Sequence, residues 1–246
     1  MPTSENITIP YISRIISSLS LTSALDVGIG MGKFGFLFRE ACEWHRFLED
    51  NINCFSKEKW KVRLDGIEVC SEYITPLQYY LYNTIYIGPV QEIANNLNPY
   101  DLIHMGDVIE HIDKSEGQRL LDILFEKARI GVLIVTPVGE YEQKGVKGNP
   151  YEAHQSVWSP VDFRRFPCVW ARKVARRQWI IFISRKEIRL GNPYARRRTK
   201  AQYLHKQARK EKYKHAIKAI LGTKGLEFLL RTKRRLEGWK INNQGN

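Results

Sequence analysis

Two β-rich runs, Val169–Val174 and Gln178–Ser184, are separated only by Ala175-Arg176-Arg177. That link is too short for a helical crossover, so the two strands must pair as an antiparallel hairpin. Upstream, from about residue 9, short β-rich runs alternate with helical ones, the pattern of strands joined by crossovers in an α/β sheet. Tyr11, Ile12, Ile15, Ile16 and Leu19 share one face of a leading helix. Strands are expected at Ser23–Gly28, Lys61–Glu68, Thr84–Gly88, Tyr100–Met105 and Gly131–Thr136, with helices over Lys33–Asp50 and Asp113–Arg129. Gly131–Thr136 is an apolar run, as a strand covered on both faces requires. The expected architecture is five parallel strands, a terminal antiparallel hairpin, and helices on both faces.

Charge divides the 246-residue chain into two parts. Residues 164–246 hold 25 Lys/Arg against 4 Asp/Glu, whereas residues 1–163 hold 14 against 22, within a net charge of +13. Two basic helices, Thr199–Leu221 and Lys224–Trp239, are expected after Gly191-Asn192-Pro193, the second with a stripe of Leu226, Leu229, Leu230 and Leu236. The domain reading is therefore a main α/β domain over 1–190 and a basic helical extension over 191–246. The extension's stripe is expected to dock on the main domain. Cys42, Cys54, Cys70 and Cys168 form no C-x-x-C pair, which argues against a disulfide framework or zinc knuckle. With no signal-peptide pattern and no apolar run approaching the length of a membrane span, a cytoplasmic protein is expected.

Between the first strand and the next helix lies Asp26-Val27-Gly28-Ile29-Gly30-Met31-Gly32. Glycines let the backbone turn sharply and approach a ligand closely, and the free amides of the helix start favour an anionic group. Asp26 would repel a pyrophosphate but suits an ammonium. It therefore argues, with the terminal hairpin, against the nicotinamide reading of Gly30-x-Gly32-x-x-Gly35. Glu68 ends the next strand, where a carboxylate can accept hydrogen bonds from ribose hydroxyls. An insertion around Glu43–Lys61 lengthens the spacing between the two.

Asp26-x-Gly28-x-Gly30-x-Gly32, Glu68 and Tyr100-Asp101-Leu102-Ile103 together resemble the ordered motifs of class I S-adenosylmethionine-dependent methyltransferases, over roughly residues 9–185. The resemblance implies a Rossmann-like sheet and S-adenosylmethionine held by Asp26, Gly28, Ile29, Gly30, Gly32, Glu68, Val69, Gln91 and Asp107. The family often has Gly-Asp after the third strand. Here Gly88-Pro89-Val90-Gln91-Glu92 stands there, leaving adenine recognition to Gln91 or to backbone groups. Asp107-Val108-Ile109-Glu110-His111 resembles the acid-x-x-Glu-His segment of quinone-type O-methyltransferases and small-RNA 2′-O-methyltransferases. His154-Gln155-Ser156-Val157-Trp158 is similar to a segment of bacterial methyltransferases of saccharide and natural-product chemistry.

Methyl transfer is an in-line displacement, so the protein must position the acceptor and remove its proton. His111, His154 and Glu110 are the candidates for that work. Asp107, Glu110, His111 and His154 also offer oxygen and nitrogen ligands compatible with Mg²⁺ or Mn²⁺, although a metal is not expected. The leading reading is O-methylation of a small-molecule or saccharide-type acceptor. The first alternative is an RNA 2′-O-methyltransferase that grips phosphates through Arg196-Arg197-Arg198 and the basic helices, among which Tyr194, Tyr203 and Tyr213 are interleaved. The second is a catalytically silent protein of this fold that binds an acidic partner or anionic surface.

Overall fold

The computed structural model describes residues 4–44, 56–140, 143, 145 and 149–188, with the side chain of Trp44 excepted. The chain divides into units 1–193 and 194–246. The expected basic helices with their leucine stripe and Arg196-Arg197-Arg198, Cys54, and much of the expected insertion lie outside the described residues.

Seven strands form one sheet in the order β3-β2-β1-β4-β5-β7-β6. They are β1 (Ser23–Val27), β2 (Arg63–Glu68), β3 (Ile85–Ile87), β4 (Tyr100–Gly106), β5 (Ala128–Pro137), β6 (Cys168–Val174) and β7 (Gln178–Ser184). Every pair from β3 through β5 is parallel, and β7 is antiparallel to both β5 and β6. The hairpin expected from the three-residue link is present, with β7 inserted between β5 and the edge strand β6. Helices α1 (Ile9–Ser17), α2 (Lys33–Arg39), α3 (Pro76–Leu81), α4 (Val90–Ile93) and α5 (Lys114–Lys127) cover the two faces.

Strand side chains alternate between those faces. Leu25, Val27, Ile103, Met105, Val132, Ile134, Ile181 and Ile183 pack in one core with Leu120, Leu121 and Leu124 of α5. Ala24, Leu102, Leu133, Val135, Ile180 and Phe182 pack in the other with Tyr11, Ile12, Ile15 and Ile16 of α1 and Phe34 and Phe38 of α2. At the head of α5, Asp113 accepts from the amides of Ser115 and Glu116, an N-cap that fixes where the helix starts.

Within the helix expected over Lys33–Asp50, the described residues are α-helical over Lys33–Arg39 and form a wider π-type turn over Glu40–Trp44, and residues 45–50 lie outside the described ones. Glu43 points inward there, accepting from the amides of Lys61 and Val62 at 3.0 and 2.9 Å. Buried Arg39 reaches Leu81 O, Val62 O and Asn83 Oδ1. Long-range polar contacts outweigh local helix periodicity in this stretch.

Gly131 shows how tightly the sheet is closed: a Cβ there would lie 2.2 Å from the Ile183 carbonyl oxygen of β7. Gly131→Ala should therefore force β5 from β7 and cost about 1–3 kcal/mol, an overpacking penalty. A urea denaturation midpoint unchanged from wild type would show that the strand contact yields freely.

Candidate functional site

The Gly-rich loop leaves β1 at the carboxyl edge of the sheet, where open α/β sheets bind ligands. Gly28 has φ 75°, and a Cβ on it would meet Val108 Cγ2 at 2.3 Å. Only glycine takes that turn without moving its neighbour. Gly32, with φ 81°, is the N-cap of α2, and a Cβ on it would meet Leu81 at 3.3 Å. It does not line the cavity beside the loop.

That cavity has a volume of about 860 Å³, within the ~300–1,000 Å³ range of small-molecule sites. Gly28, Ile29, Gly30, Glu68, Val69 and Gln91 line one part of it, and Asp107, Glu110, His111 and His154 line another.

Asp26 is not on its wall, which corrects the expectation that it meets a ligand ammonium. The strand pleat turns Asp26 to the α1–α2 face, directly across the β1–β4 register from His104. Its Oδ1 lies 2.7 Å from His104 Nδ1, and its Oδ2 accepts from Tyr82 Oη at 2.6 Å. Both oxygens are engaged beneath the loop, so Asp26 positions the loop and does not line the cavity.

Glu68 is buried but does line the cavity. One oxygen accepts from Gly30 N at 2.8 Å and the other from Cys70 N at 3.0 Å. Burial raises its pKa, against the opposing backbone bonds. Each oxygen keeps a further acceptor position for a ribose hydroxyl. Gln91 donates to Glu116 at 3.4 Å and also lines the cavity.

At the end of β4, Asp107 takes a left-handed φ of 52°. Its pKa is raised, chiefly by burial. Gln178, with its amide oriented to satisfy both ends, comes within 3.3 Å of Asp107 Oδ1. Glu110 lies one turn further on, 2% exposed, with no carboxylate hydrogen bond of good geometry among the described residues and the Thr136 hydroxyl as the polar group beside it. Its pKa is pushed well up, first by desolvation and then by the charge of Asp107.

His111 Nδ1 sits 3.1 Å from Ala153 O, a contact that favours the Nδ1–H tautomer and leaves Nε2 basic. Burial lowers its pKa, keeping the ring neutral near pH 7. The His111 and His154 rings meet edge to face at 4.8 Å between centroids. Ligand atoms of Glu110, His111 and His154 all fall within 4.8 Å of one another. Asp107, which the sequence offered beside these three as a metal-compatible oxygen, is outside that group, and Gln178 approaches its carboxylate.

Loop 149–158 carries His154, and the structure shows what its neighbours do. The amides of Gln155 and Ser156 both donate to Glu110 O, at 2.8 and 3.0 Å. Trp158 Nε1 donates to Ile109 O and Ser156 Oγ to Ile112 O. The two loops are thereby fixed together.

Sequence reasoning missed four polar residues around the site: Tyr73, Gln78, Tyr82 and His104. Two of them left signals. His104 is a polar residue inside an apolar strand, and Thr75-Pro76-Leu77-Gln78 forms a capping box that opens α3.

No family model and no curated protein matches this chain. Solved structures do. The N-terminal domain of EvdMO1, determined in the presence of SAH and D-fucose, is 13% identical with a TM-score of 0.50, covering 75% of this chain and 85% of that one. A protein from Pyrococcus horikoshii OT3 is 10% identical with a TM-score of 0.50, covering 73% and 90%. With the sheet order and its antiparallel β7, these likenesses settle the architecture. This chain has the class I methyltransferase fold. An O-methyltransferase family protein from Burkholderia thailandensis also matches, 10% identical at a TM-score of 0.46 and covering 72% of this chain; the chain spans only about half of that protein, 56%.

The buried Glu110 carboxyl predicts a pH dependence. Its folded pKa lies above its ordinary 4.5, so between those two values the folded state holds a proton that the unfolded state has lost. Stability contributed by Glu110 is thus present below about pH 4.5 and falls as pH rises towards the folded pKa. Glu110→Gln should remove that decline and raise the melting temperature at pH 8. Parallel pH profiles for the two proteins would show that Glu110 is ionised in the fold without penalty.

Proposed function

We propose that this chain is an S-adenosylmethionine-dependent O-methyltransferase acting on a small, hydroxyl-bearing acceptor of saccharide type. The supporting observation is that one cavity joins the Gly28–Gly30 loop and Glu68 to the His111–His154 pair. The first part offers close backbone approach and a ribose acceptor. The second offers a neutral imidazole to take a proton from the acceptor oxygen as the methyl group leaves the sulfonium. The cofactor would place its methyl group towards the histidines and supply the electrophile. His111, its tautomer favoured by Ala153, is the better-prepared base, and His154 packs against it.

The carboxylates of Asp107, Glu140 and Glu152 line the cavity and suit a sulfonium, and Lys33, Arg176 and Arg177 line it too, so its wall is mixed in charge. SAH, the demethylated product of S-adenosylmethionine, and D-fucose are named for the EvdMO1 domain of the same fold. Residues 1–190 would form the catalytic domain. The extension over 191–246, with 16 Lys/Arg against 3 Asp/Glu, would serve an anionic partner such as RNA or a surface.

Among the described residues no helix is long and apolar enough to cross a membrane, and Cys42, Cys70 and Cys168 are free thiols. The Cys42 thiol is pushed up to about 12, first by burial, and is inert at neutral pH. These features fit a cytoplasmic enzyme.

Calorimetry with S-adenosylmethionine and SAH tests the cofactor assignment. Wild type should bind both, and Gly28→Val should bind neither, because its side chain collides with Val108. Equal affinity in wild type and variant would remove the assignment. With a methyl acceptor in hand, His111→Ala should lower kcat about 10²–10⁴-fold, the usual loss for a general base. Turnover abolished by EDTA and restored by Mg²⁺ or Mn²⁺ would instead make Glu110, His111 and His154 metal ligands.

A further inference from the structure

Gln78 is fully buried and makes all four hydrogen bonds that a carboxamide can. Its Nε2 donates to Gly30 O at 2.6 Å and to Tyr73 O at 2.8 Å. Its Oε1 accepts from the amide and hydroxyl of Thr75, at 2.9 and 2.6 Å. Gly30 is thus gripped through its carbonyl by Gln78 and through its N–H by Glu68. At the other end, the Tyr73 hydroxyl donates to the Glu152 carboxylate and accepts from Asn149 Nδ2 at 3.2 Å. Glu152 O accepts from Gln143 Nε2 at 2.7 Å, and Gln143 O accepts from His154 N at 3.0 Å. A path of hydrogen bonds, joined through the covalent frames of Gln78, Tyr73, Glu152 and Gln143, therefore runs from the Gly-rich loop to the backbone of His154.

We propose that Gln78 and Tyr73 are positioning residues that carry cofactor binding at Gly30 to the loop segment 149–154, so that cofactor binds first and completes the acceptor site. This rests on the methyltransferase reading above. Gly30 has φ 45° and belongs to a loop whose glycines allow other conformations. A ligand that fits only the observed conformation shifts the loop towards it. Gln78 has no spare donor or acceptor with which to absorb the change, so the shift passes to Tyr73 and from there to Glu152 and Asn149. By reciprocity, a bound acceptor must tighten cofactor binding by the same factor. The next part of the loop has a different anchor. Gln155, Ser156 and Trp158 are tied to residues 109–112 and should stay indifferent to the cofactor.

The test uses the full chain, SAH as the probe, and amide hydrogen exchange. In wild type, SAH should slow exchange at Glu152, Ala153 and His154 by about five- to tenfold, the size expected from securing one or two hydrogen bonds. Gln155 and Ser156 should change little. Tyr73→Phe removes only the hydroxyl. It should bind SAH within about twofold of wild type yet lose the added protection at 152–154. Gln78→Met should lose it too. Equal SAH-induced protection in wild type and Tyr73→Phe would overturn the proposal, as would protection confined to the Gly-rich loop. If calorimetry finds no SAH binding to wild type, the methyltransferase reading fails first and takes this inference with it.

Discussion

The carboxylate of Asp26 joins three parts of the fold at one point. β1 supplies it, β4 sets His104 directly opposite, and the end of α3 delivers the Tyr82 hydroxyl. Taking a carboxylate out of water costs several kcal/mol, and its partners must repay this through good geometry. Here both oxygens are met at 2.7 and 2.6 Å. Removing either partner would leave a buried oxygen unpaired, which typically costs about 1–3 kcal/mol. The chain must therefore keep β1, β4 and α3 in one arrangement. The Gly-rich loop begins two residues after Asp26, so its starting point is fixed by the same contact. Phe34 and Phe38 of α2 pack on the His104 ring and bring the helix that follows the loop into the same cluster.

Much of this architecture is written locally. Strand runs, the apolar stripe of α1 and the short link before β7 depend on periodicity and chain length, which one segment displays by itself. Gly28, Gly30 and Glu68 were legible for the same reason: turn chemistry and strand ends are local properties. Asp26 was placed in the right loop but given the wrong neighbour. Its alternation with Leu25 and Val27 shows that it faces away from them, yet not which core it enters. That depends on His104, 78 residues along the chain. Gln78 shows the same division within one side chain. Its capping contact with Thr75 is readable in sequence, whereas its bond to Gly30, 48 residues away, is set by tertiary packing.

The His154-Gln155-Ser156-Val157-Trp158 segment separates in a similar way into chemistry and support. Trp158 is 1% exposed, packs near Phe163, and donates to Ile109 O at 3.2 Å. Ser156 bridges Trp158 and Ile112. Both residues hold the turn that presents Glu110 and His111. A Cβ on Gly117 of α5 would come 2.7 Å from the Trp158 ring, so the helix has left room for that indole. Of the three spaced residues, His154 alone lines the cavity, and the other two set where His111 stands.

Glu110 then becomes the group whose charge decides what the cavity can do. Buried as it is, its carboxyl favours the protonated form, and the neutral His111 imidazole beside it can take a proton. A divalent cation between Glu110, His111 and His154 would reverse this. It would hold the carboxylate ionised and occupy the lone pairs that a base needs. Proton removal by these imidazoles and metal coordination draw on the same atoms, so the site cannot use both at once. The balance rests on how far Asp107 opposes a second negative charge nearby. It stands outside the ligand cluster while its charge still acts on Glu110. That charge disfavours ionisation of Glu110 when no cation is bound, and it would draw a cation towards the same place.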